Sequence, residues 1–160
     1  MLDDVPAIFA ALGVSEEQVV VFGRSVGSIY AVEAAHRFGG IAGLVLESGI
    51  HDVLERILLR TSPRELGVSD EELREEVARH LDHGAKLASL EAPFLLMHCE
   101  HDGLVDISHA ERNHDAAPRA QRSFLRFSAG DHNSIMAANQ AAYVRALLTF
   151  LSSCVATPAP

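Results

Sequence analysis

A serine framed by two glycines, in the segment Gly23-Arg24-Ser25-Val26-Gly27, constrains the fold of this chain more than any other feature. The apolar run at residues 19–22 directly before it predicts a β-strand, and residues 28–36 directly after it predict a helix. A strand that turns straight into a helix needs a sharp, strained connection, which small glycines on either side allow. Such a turn lifts the serine hydroxyl above the end of the sheet, so the pattern predicts that Ser25 is presented as a nucleophile.

Four apolar runs, at residues 19–22, 44–46, 94–97 and 124–127, predict the strands of one sheet. The first three runs do not alternate between apolar and polar residues, which favours a parallel sheet covered on both faces. Helical segments separate the runs, so the chain is expected to form repeated βα units with right-handed crossovers. The predicted fold class is α/β, with a mostly parallel sheet as the middle layer of a three-layer α/β/α arrangement.

The segment between the second and third strands carries its own helix signals. Ser69 followed by Glu72 is a capping-box pattern, in which each side chain can bond to the backbone N–H of the other residue. It predicts a helix over residues 70–83. The predicted boundaries are residues 1–151 for a single domain, 51–90 for a small helical cap inserted in it, and 152–160 for a flexible tail.

Charge and composition limit the partners that the chain can have. It has 160 residues, and 13 Lys and Arg against 22 Asp and Glu give a net charge of −9, which disfavours binding to nucleic acid or to an anionic membrane surface. No apolar run approaches the ~20 residues that a membrane-spanning helix needs, and no signal-peptide pattern opens the sequence. Two cysteines, Cys99 and Cys154, do not make a disulfide framework. We expect a cytoplasmic protein that acts on a small molecule.

An acid and a base follow the third and fourth predicted strands. Asp102 lies just beyond the strand at 94–97, and His132 lies just beyond the strand at 124–127. Because the carboxyl ends of parallel strands meet at one edge of a sheet, Ser25, Asp102 and His132 are expected to converge there. The order Ser, Asp, His predicts a catalytic triad in which His132 takes the proton from Ser25 and Asp102 orients the imidazole. The other histidines are expected to lie on the surface.

Neighbouring residues leave alternatives open for the acid and for a metal. Rival acids at the same edge of the sheet are Glu47, Glu100 and Asp106. His98 and His101 together with Asp102 form an alternative set of metal ligands. No rigid three-ligand arrangement follows from the positions of these side chains, so the sequence predicts no metal site.

Two further groups of residues also permit two readings each. Arg24 either orients a carboxylate or a substrate group near Ser25 or forms an ordinary surface ion pair. Leu54, Ile57 and Leu58 either line an acyl pocket beneath the cap or form the packing face of the cap itself.

Together these segments resemble the carboxyl-terminal part of the α/β-hydrolase fold serine hydrolases, in their esterase, monoacylglycerol-lipase and serine-aminopeptidase-like branch. Three segments carry the resemblance: the strand-to-helix turn at residues 23–28, which is called the nucleophile elbow, the segment at 93–105 that contains Asp102, and Gly-Asp-His-Asn at 130–133. The resemblance covers residues 5–151. It implies hydrolysis of an ester or amide through an acyl-enzyme intermediate by the triad named above. It also implies that the Val26 N–H binds the oxyanion and that no cofactor is needed.

The chain departs from the pattern of that family before residue 18. The family has four strands ahead of the elbow strand and a loop that supplies a second oxyanion donor, whereas only one helix is predicted here. Loss of one such donor typically costs about 10²–10³ in rate. Without those strands, the strand at 19–22 has an unpaired edge that a second copy of the chain can join. The alternative function is therefore a truncated, catalytically weak or inactive homologue that acts as a binding or dimerising module.

Overall fold

A four-stranded parallel sheet organises the part of the chain that the computed structural model describes, residues 2–155. Its strands are β1 (Val20–Arg24), β2 (Gly43–Glu47), β3 (Phe94–Cys99) and β4 (Arg122–Phe127), which lie side by side in chain order. Each strand pairs in parallel with the next, with Phe22 opposite Val45 and Leu96 opposite Phe124. The predicted α/β fold with a parallel sheet is confirmed.

The two central strands account for the uninterrupted apolar runs in the sequence. Every residue of β2 and of β3 is buried, because helices cover both faces of the sheet at these strands. β1 and β4 lie at the edges of the sheet and are only partly buried. Among the described residues β1 pairs with β2 alone, and its Phe22 side chain is 44% exposed. The outer edge of β1 therefore presents backbone groups that no strand of residues 2–155 pairs.

Helices flank the sheet on both faces. In residues 2–155 they are α1 (Val5–Leu12), α2 (Gly27–Arg37), α3 (Val53–Leu58), α4 (Pro63–Leu66), α5 (Asp70–Leu81), α6 (His83–Leu87), α7 (Ser108–Asp115), α8 (Ile135–Ala138) and α9 (Gln140–Val155). On one face, α2, α6 and α7 share an apolar core with Leu44 and Phe94 of the sheet. On the other face, Tyr143 and Phe150 of α9 pack in a second core with Met97. These layers confirm the α/β/α arrangement.

Between β2 and β3 the chain forms α3 to α6. α3 and α5 pack around a small apolar cluster that includes Val53 and Val77. The helix predicted for residues 70–83 ends at Leu81, because Asp82 is extended and its carboxylate caps the next helix by accepting a hydrogen bond from the Ala85 N–H at 2.9 Å. α6 then packs against α2 and adds its own side chains to the core under the sheet.

The last helix continues past the predicted boundary at residue 151 and ends at Val155. Cys154 explains the extension, since it packs against the apolar core that contains Phe150. Residues 156–160 of the predicted tail lie outside the described residues. Within residues 2–155, no helix combines the length and the apolar character needed to cross a lipid bilayer.

Candidate active site

Ser25 lies at the turn between β1 and α2, where its backbone is strained. Its φ angle is +51°, in the left-handed region that residues other than glycine rarely adopt. The Ser25 N–H donates to the Glu47 carbonyl at 2.9 Å, which ties the turn to the end of β2. The helix crosses the strand so closely that a methyl group on Gly23 would lie 2.5 Å from Cβ of Ala31. The turn thus fixes the position of the serine hydroxyl at the carboxyl edge of the sheet.

Three side chains from three strand ends form a chain of hydrogen bonds. His132 Nε2 lies 2.9 Å from Ser25 Oγ, and His132 Nδ1 lies 2.8 Å from Asp102 Oδ2. An ionised Asp102 can only accept, so the Nδ1–H of His132 donates to it and Nε2 is free to accept the Ser25 proton. Asp102 and His132 are buried, whereas Ser25 is partly exposed. The structure therefore brings together the three residues that the sequence singles out, at the separations that a nucleophile and its base require.

The turn after β3 holds Asp102 in its ionised form. Asp102 Oδ1 accepts hydrogen bonds from the N–H groups of Leu104 at 2.9 Å and Val105 at 2.8 Å. Burial acts to raise the pKa of Asp102, but the hydrogen bonds from Val105, His132 and Leu104 outweigh it, and the pKa lies below its usual range. His98 supports the same turn, because its Nε2 donates to the Val105 carbonyl at 2.8 Å. A charged Asp102 is what stabilises a protonated His132.

Arg24 joins β1, β2 and the loop that carries His132. Its Nε donates to Glu47 Oε1 at 2.8 Å, and its Nη2 donates to the His132 carbonyl at 2.5 Å and to Asn133 Oδ1 at 3.2 Å. The hydroxyl of Tyr143 in α9 donates to the other oxygen of Glu47. Burial raises the pKa of Tyr143 and the Glu47 carboxylate raises it further, so the phenol remains a donor. Of the two roles that the sequence leaves open for Arg24, its contacts therefore favour orientation over a surface ion pair.

The rival acids have other partners or positions. The Glu47 carboxylate is occupied by Arg24 as described, and Asp106 accepts a hydrogen bond from the N–H of Ser108 at 2.9 Å near the start of α7. Glu100 is exposed in the turn after β3, as is His101 from the alternative set of metal ligands. Among the described residues, no group of three or more His, Cys, Asp or Glu side chains is placed to share a metal ion.

An apolar cavity of about 580 Å³ opens beside Ser25 and His132. Its walls come from α2, from the cap and from the turn after β3, through residues that include Ile29, Ile57 and Leu104. Ile57 serves both roles that the sequence leaves open, because it lines the cavity and also packs in the cap cluster. The cavity can hold an apolar portion of a substrate next to the serine hydroxyl.

The loop after β2 brings Ile50 into the wall of this cavity and is fixed by polar side chains from three helices. The Ile50 N–H donates to Ser28 Oγ at 2.9 Å, and the Ile50 carbonyl accepts from His83 Nδ1 at 2.8 Å. The N–H of His51 donates to His109 Nδ1 at 3.1 Å. His83 and His109 are buried, as is His98, so the expectation that the other histidines lie on the surface is wrong for these three. His83 and His109 lie on short, polar helices that no local pattern distinguishes from surface helices, and His98 lies near the end of β3.

The predicted oxyanion donor, the N–H of Val26, directly follows Ser25 and precedes α2. Within residues 2–155 no oxygen accepts a hydrogen bond from it. Unbonded N–H groups at a helix N-terminus carry partial positive charge and favour an anion. Residues 2–19 form α1 and two 3₁₀ turns and contain no strand, so they hold no counterpart of the loop from which the resemblance implies a second oxyanion donor.

Several solved structures share this fold. The chain aligns with an esterase from Rhodococcus sp. at 21% identity and a TM-score of 0.65, over 96% of this chain and 71% of that one. It aligns with the esterase domain of a Rhodothermus marinus protein at 20% identity and a TM-score of 0.67, over 92% of this chain and 66% of that one. A puromycin-hydrolysing peptidase from Mycobacterium tuberculosis aligns at 16% identity and a TM-score of 0.75, over 96% of this chain and 24% of that one. At these identities the likeness shows the fold alone, and the chain spans only part of each of these proteins.

A search of curated protein sequences gave no significant match. A model of the prolyl oligopeptidase family, in contrast, matches residues 5–157. That match spans the whole sheet, the cap and the three residues of the hydrogen-bonded chain. Because it covers nearly the full sequence, and because the fold agrees with it, the chain belongs to the prolyl oligopeptidase family.

Proposed function

We propose that this chain is a serine hydrolase that cleaves an ester or amide bond through an acyl-enzyme intermediate. The observation that carries the proposal is the row of hydrogen bonds that links Asp102, His132 and Ser25. In it, His132 Nε2 lies 2.9 Å from the hydroxyl of Ser25, whose backbone is strained. The family match supports a hydrolase, and the esterases and the puromycin-hydrolysing peptidase that share the fold support an ester or amide as the bond cleaved.

Acylation begins when the Ser25 Oγ attacks the carbonyl carbon of the substrate and His132 Nε2 takes the hydroxyl proton. Ionised Asp102 holds the imidazole in the correct tautomer and stabilises its positive charge. The negative charge that develops on the substrate oxygen is stabilised by the Val26 N–H. His132 then gives its proton to the leaving alcohol or amine, and the acyl group remains on Ser25.

Deacylation repeats these roles with water as the nucleophile. His132 takes a proton from the water, which attacks the acyl carbonyl, and returns a proton to Ser25 as the carboxylic acid leaves. Residues 2–155 supply one oxyanion donor, the Val26 N–H, so we expect this chain to turn over about 10²–10³ more slowly than a hydrolase with two donors. The acyl-enzyme is therefore expected to form slowly but on the same serine.

The experiment that tests the proposal is labelling by a fluorophosphonate, which reacts with an activated serine. The purified chain is incubated with the probe, and the adduct is located by intact mass and peptide mapping. We expect a single adduct on Ser25, and no adduct in Ser25→Ala or after His132→Ala removes the base. Hydrolysis of a neutral ester such as 4-nitrophenyl butyrate is expected to disappear in the same variants.

The matched control for this experiment is Ser153→Ala, which removes an exposed serine hydroxyl from α9 outside the cavity. This variant is expected to label and to turn over ester as the parent chain does. Labelling that persists in Ser25→Ala, or a folded parent chain that neither labels nor hydrolyses any ester, contradicts the proposed function.

A second candidate function rests on the outer edge of β1. We infer that this edge can join a second copy of the chain, because among the described residues β1 pairs on one side only and Phe22 is exposed there. Static light scattering over a hundred-fold range of concentration tests this inference. A mass that rises toward twice the 17.3 kDa of one chain supports a dimerising role, and a constant monomer mass contradicts it.

A further inference from the structure

Two arginines, Arg56 and Arg60, line the apolar cavity beside Ser25 and take no part in the hydrogen-bonded triad. Val53, Arg56, Ile57 and Arg60 follow the i, i+3, i+4, i+7 spacing of one helix face, along α3 and the turn after it. All four residues line the cavity. A face that covers an apolar cavity is ordinarily apolar at each of these positions. Here it carries two guanidinium groups.

The protein does not neutralise these two charges. Within residues 2–155 the guanidinium groups of Arg56 and Arg60 have no ion pair and no hydrogen bond, whereas the adjacent Glu55 pairs with Arg112 at 3.2 Å. The described lining of the cavity contains no Asp or Glu. The cavity is therefore a cationic region. This contrasts with the chain as a whole, which carries a net charge of −9.

Burial of the two side chains shows where the charges act. Arg56 is half-buried and Arg60 is exposed, so Arg60 marks the side of the cavity nearer to solvent. A half-buried guanidinium loses part of its hydration, and no group of the described chain compensates for this loss. Long cationic side chains place their aliphatic stems along apolar surface and their charged ends in water, so we expect the two guanidinium groups to lie toward the mouth of the cavity.

We propose that the substrate carries an oxyanion group, separated from the scissile carbonyl by an apolar segment, and that Arg56 and Arg60 bind this group. The inference rests on the proposed function only in placing the scissile carbonyl at Ser25. The apolar segment packs against the apolar walls of the cavity, which include Ile29 and Ile57, and the guanidinium groups meet the anion with paired, charge-assisted hydrogen bonds. The substrate class is therefore an ester or amide with a distal carboxylate or phosphate-type group.

The test measures binding to the Ser25→Ala chain by isothermal titration calorimetry, so that it does not depend on turnover. The probes are three amides of the same chain length: hexanamide, adipic acid monoamide, which ends in a carboxylate, and the corresponding amide that ends in a phosphonate. We expect the anionic amides to bind about ten-fold more tightly than hexanamide at low salt, with the difference reduced in 0.5 M salt. Comparison of the carboxylate with the phosphonate identifies which anion the arginines prefer.

Two further variants assign the preference to the arginines. Arg56→Gln/Arg60→Gln is expected to bind all three amides equally, and Arg56→Lys/Arg60→Lys is expected to keep part of the preference because the charge is retained. The matched control is Arg64→Gln/Arg74→Gln, which makes the same change in net charge at exposed positions outside the cavity and is expected to keep the full preference.

Three results overturn the inference: equal affinity for hexanamide and the anionic amides, no binding of any of them, or a preference that survives in Arg56→Gln/Arg60→Gln. None of these results bears on whether Ser25 reacts with a fluorophosphonate. Conversely, a chain that fails to label but binds the anionic amides through Arg56 and Arg60 contradicts the proposed hydrolysis and leaves the anion site in place.

Discussion

Arg24 couples the position of His132 to the packing of the sheet. Its guanidinium is anchored by the buried carboxylate of Glu47, and its remaining hydrogen bonds go to the His132 carbonyl and to Asn133 in the same loop. Because His132 must stay within hydrogen-bond distance of Ser25 for proton transfer, a group that fixes the backbone of the loop also fixes the base. Arg24 is therefore a positioning residue, which acts on the reaction through His132.

Arg24→Met is expected to lower kcat for a neutral ester about ten-fold with KM little changed, since it loosens the base and leaves the cavity intact. Arg24→Lys is expected to recover part of the loss through a single hydrogen bond. The measurement is steady-state hydrolysis together with the rate of fluorophosphonate labelling.

Tyr143→Phe is the matched control for this prediction, because it removes the other hydrogen bond of Glu47 and leaves Arg24 in place. It is expected to lower thermal stability without a change in kcat. If both variants lose kcat in proportion to their loss of stability, Arg24 acts only through the fold.

The sequence predicts the three residues of the hydrogen-bonded triad better than it predicts the side chains that hold them in place. Ser25, Asp102 and His132 each follow an apolar run, so the rule that strand ends meet at one edge is enough to bring them together. The contact of Glu47 with Tyr143 spans 96 positions of the sequence, and no local pattern in either segment points to the other. Such a pair is visible only when the packing of α9 on the sheet is known.

The turn that carries Ser25 depends on the close crossing of β1 and α2. Of its two glycines, Gly23 is required by the lack of space and Gly27 is not. A methyl group on Gly23 would lie 2.8 Å from the Gly27 carbonyl oxygen and 2.8 Å from Cα of Ser28, both backbone atoms that cannot move aside. A methyl group on Gly27 would meet no described atom within 4 Å. Strain in the turn resides in Ser25, which has a positive φ, and Gly27 does not share it.

Gly23→Ala is therefore expected to lower the free energy of unfolding by about 2–3 kcal/mol and to abolish labelling of Ser25, because the helix must move away from the strand. Gly27→Ala is expected to leave stability unchanged or raise it by about 0.5 kcal/mol, since alanine restricts the unfolded chain. Urea denaturation measures both changes. A Gly23→Ala chain as stable and as reactive as the parent contradicts the role given to this crossing.

Elements with a local signal follow the sequence, and those fixed by distant contacts do not. The capping box of Ser69 and Glu72 begins α5 as predicted, with the Glu72 N–H donating to Ser69 Oγ at 3.1 Å. The end of α5 is set instead by Asp82, whose carboxylate begins the next helix. The last helix is likewise extended to Val155 by the packing of Cys154 on the core, which a count of polar residues near the end of the chain does not reveal.

For the molecule as a whole, burial of three histidines makes stability depend on pH. His83, His98 and His109 are almost fully buried, and in each the loss of hydration lowers the pKa, to about 4 in His83. His83 Nδ1 donates to the Ile50 carbonyl, while its Nε2 is buried with no partner among the described residues, so the neutral ring is the form that fits. Protonation adds a charge that this site cannot solvate.

The sign of the effect follows from the proton balance. An unfolded histidine has a pKa near 6.5, so between pH 6.5 and 4 the unfolded chain binds protons that folded His83 does not. The stability from neutral His83 is fully present above pH 6.5 and is lost as the pH falls toward 4. We expect this residue alone to remove about 3 kcal/mol of the free energy of unfolding over that range, as measured by urea denaturation at successive pH values.

His83→Asn keeps a donor for the Ile50 carbonyl and cannot be protonated, so the stability of this variant is expected to fall less steeply as the pH is lowered. His36→Asn, at an exposed position, is expected to follow the parent curve. A His83→Asn chain with the same pH dependence as the parent would show that this ring does not set the acid sensitivity.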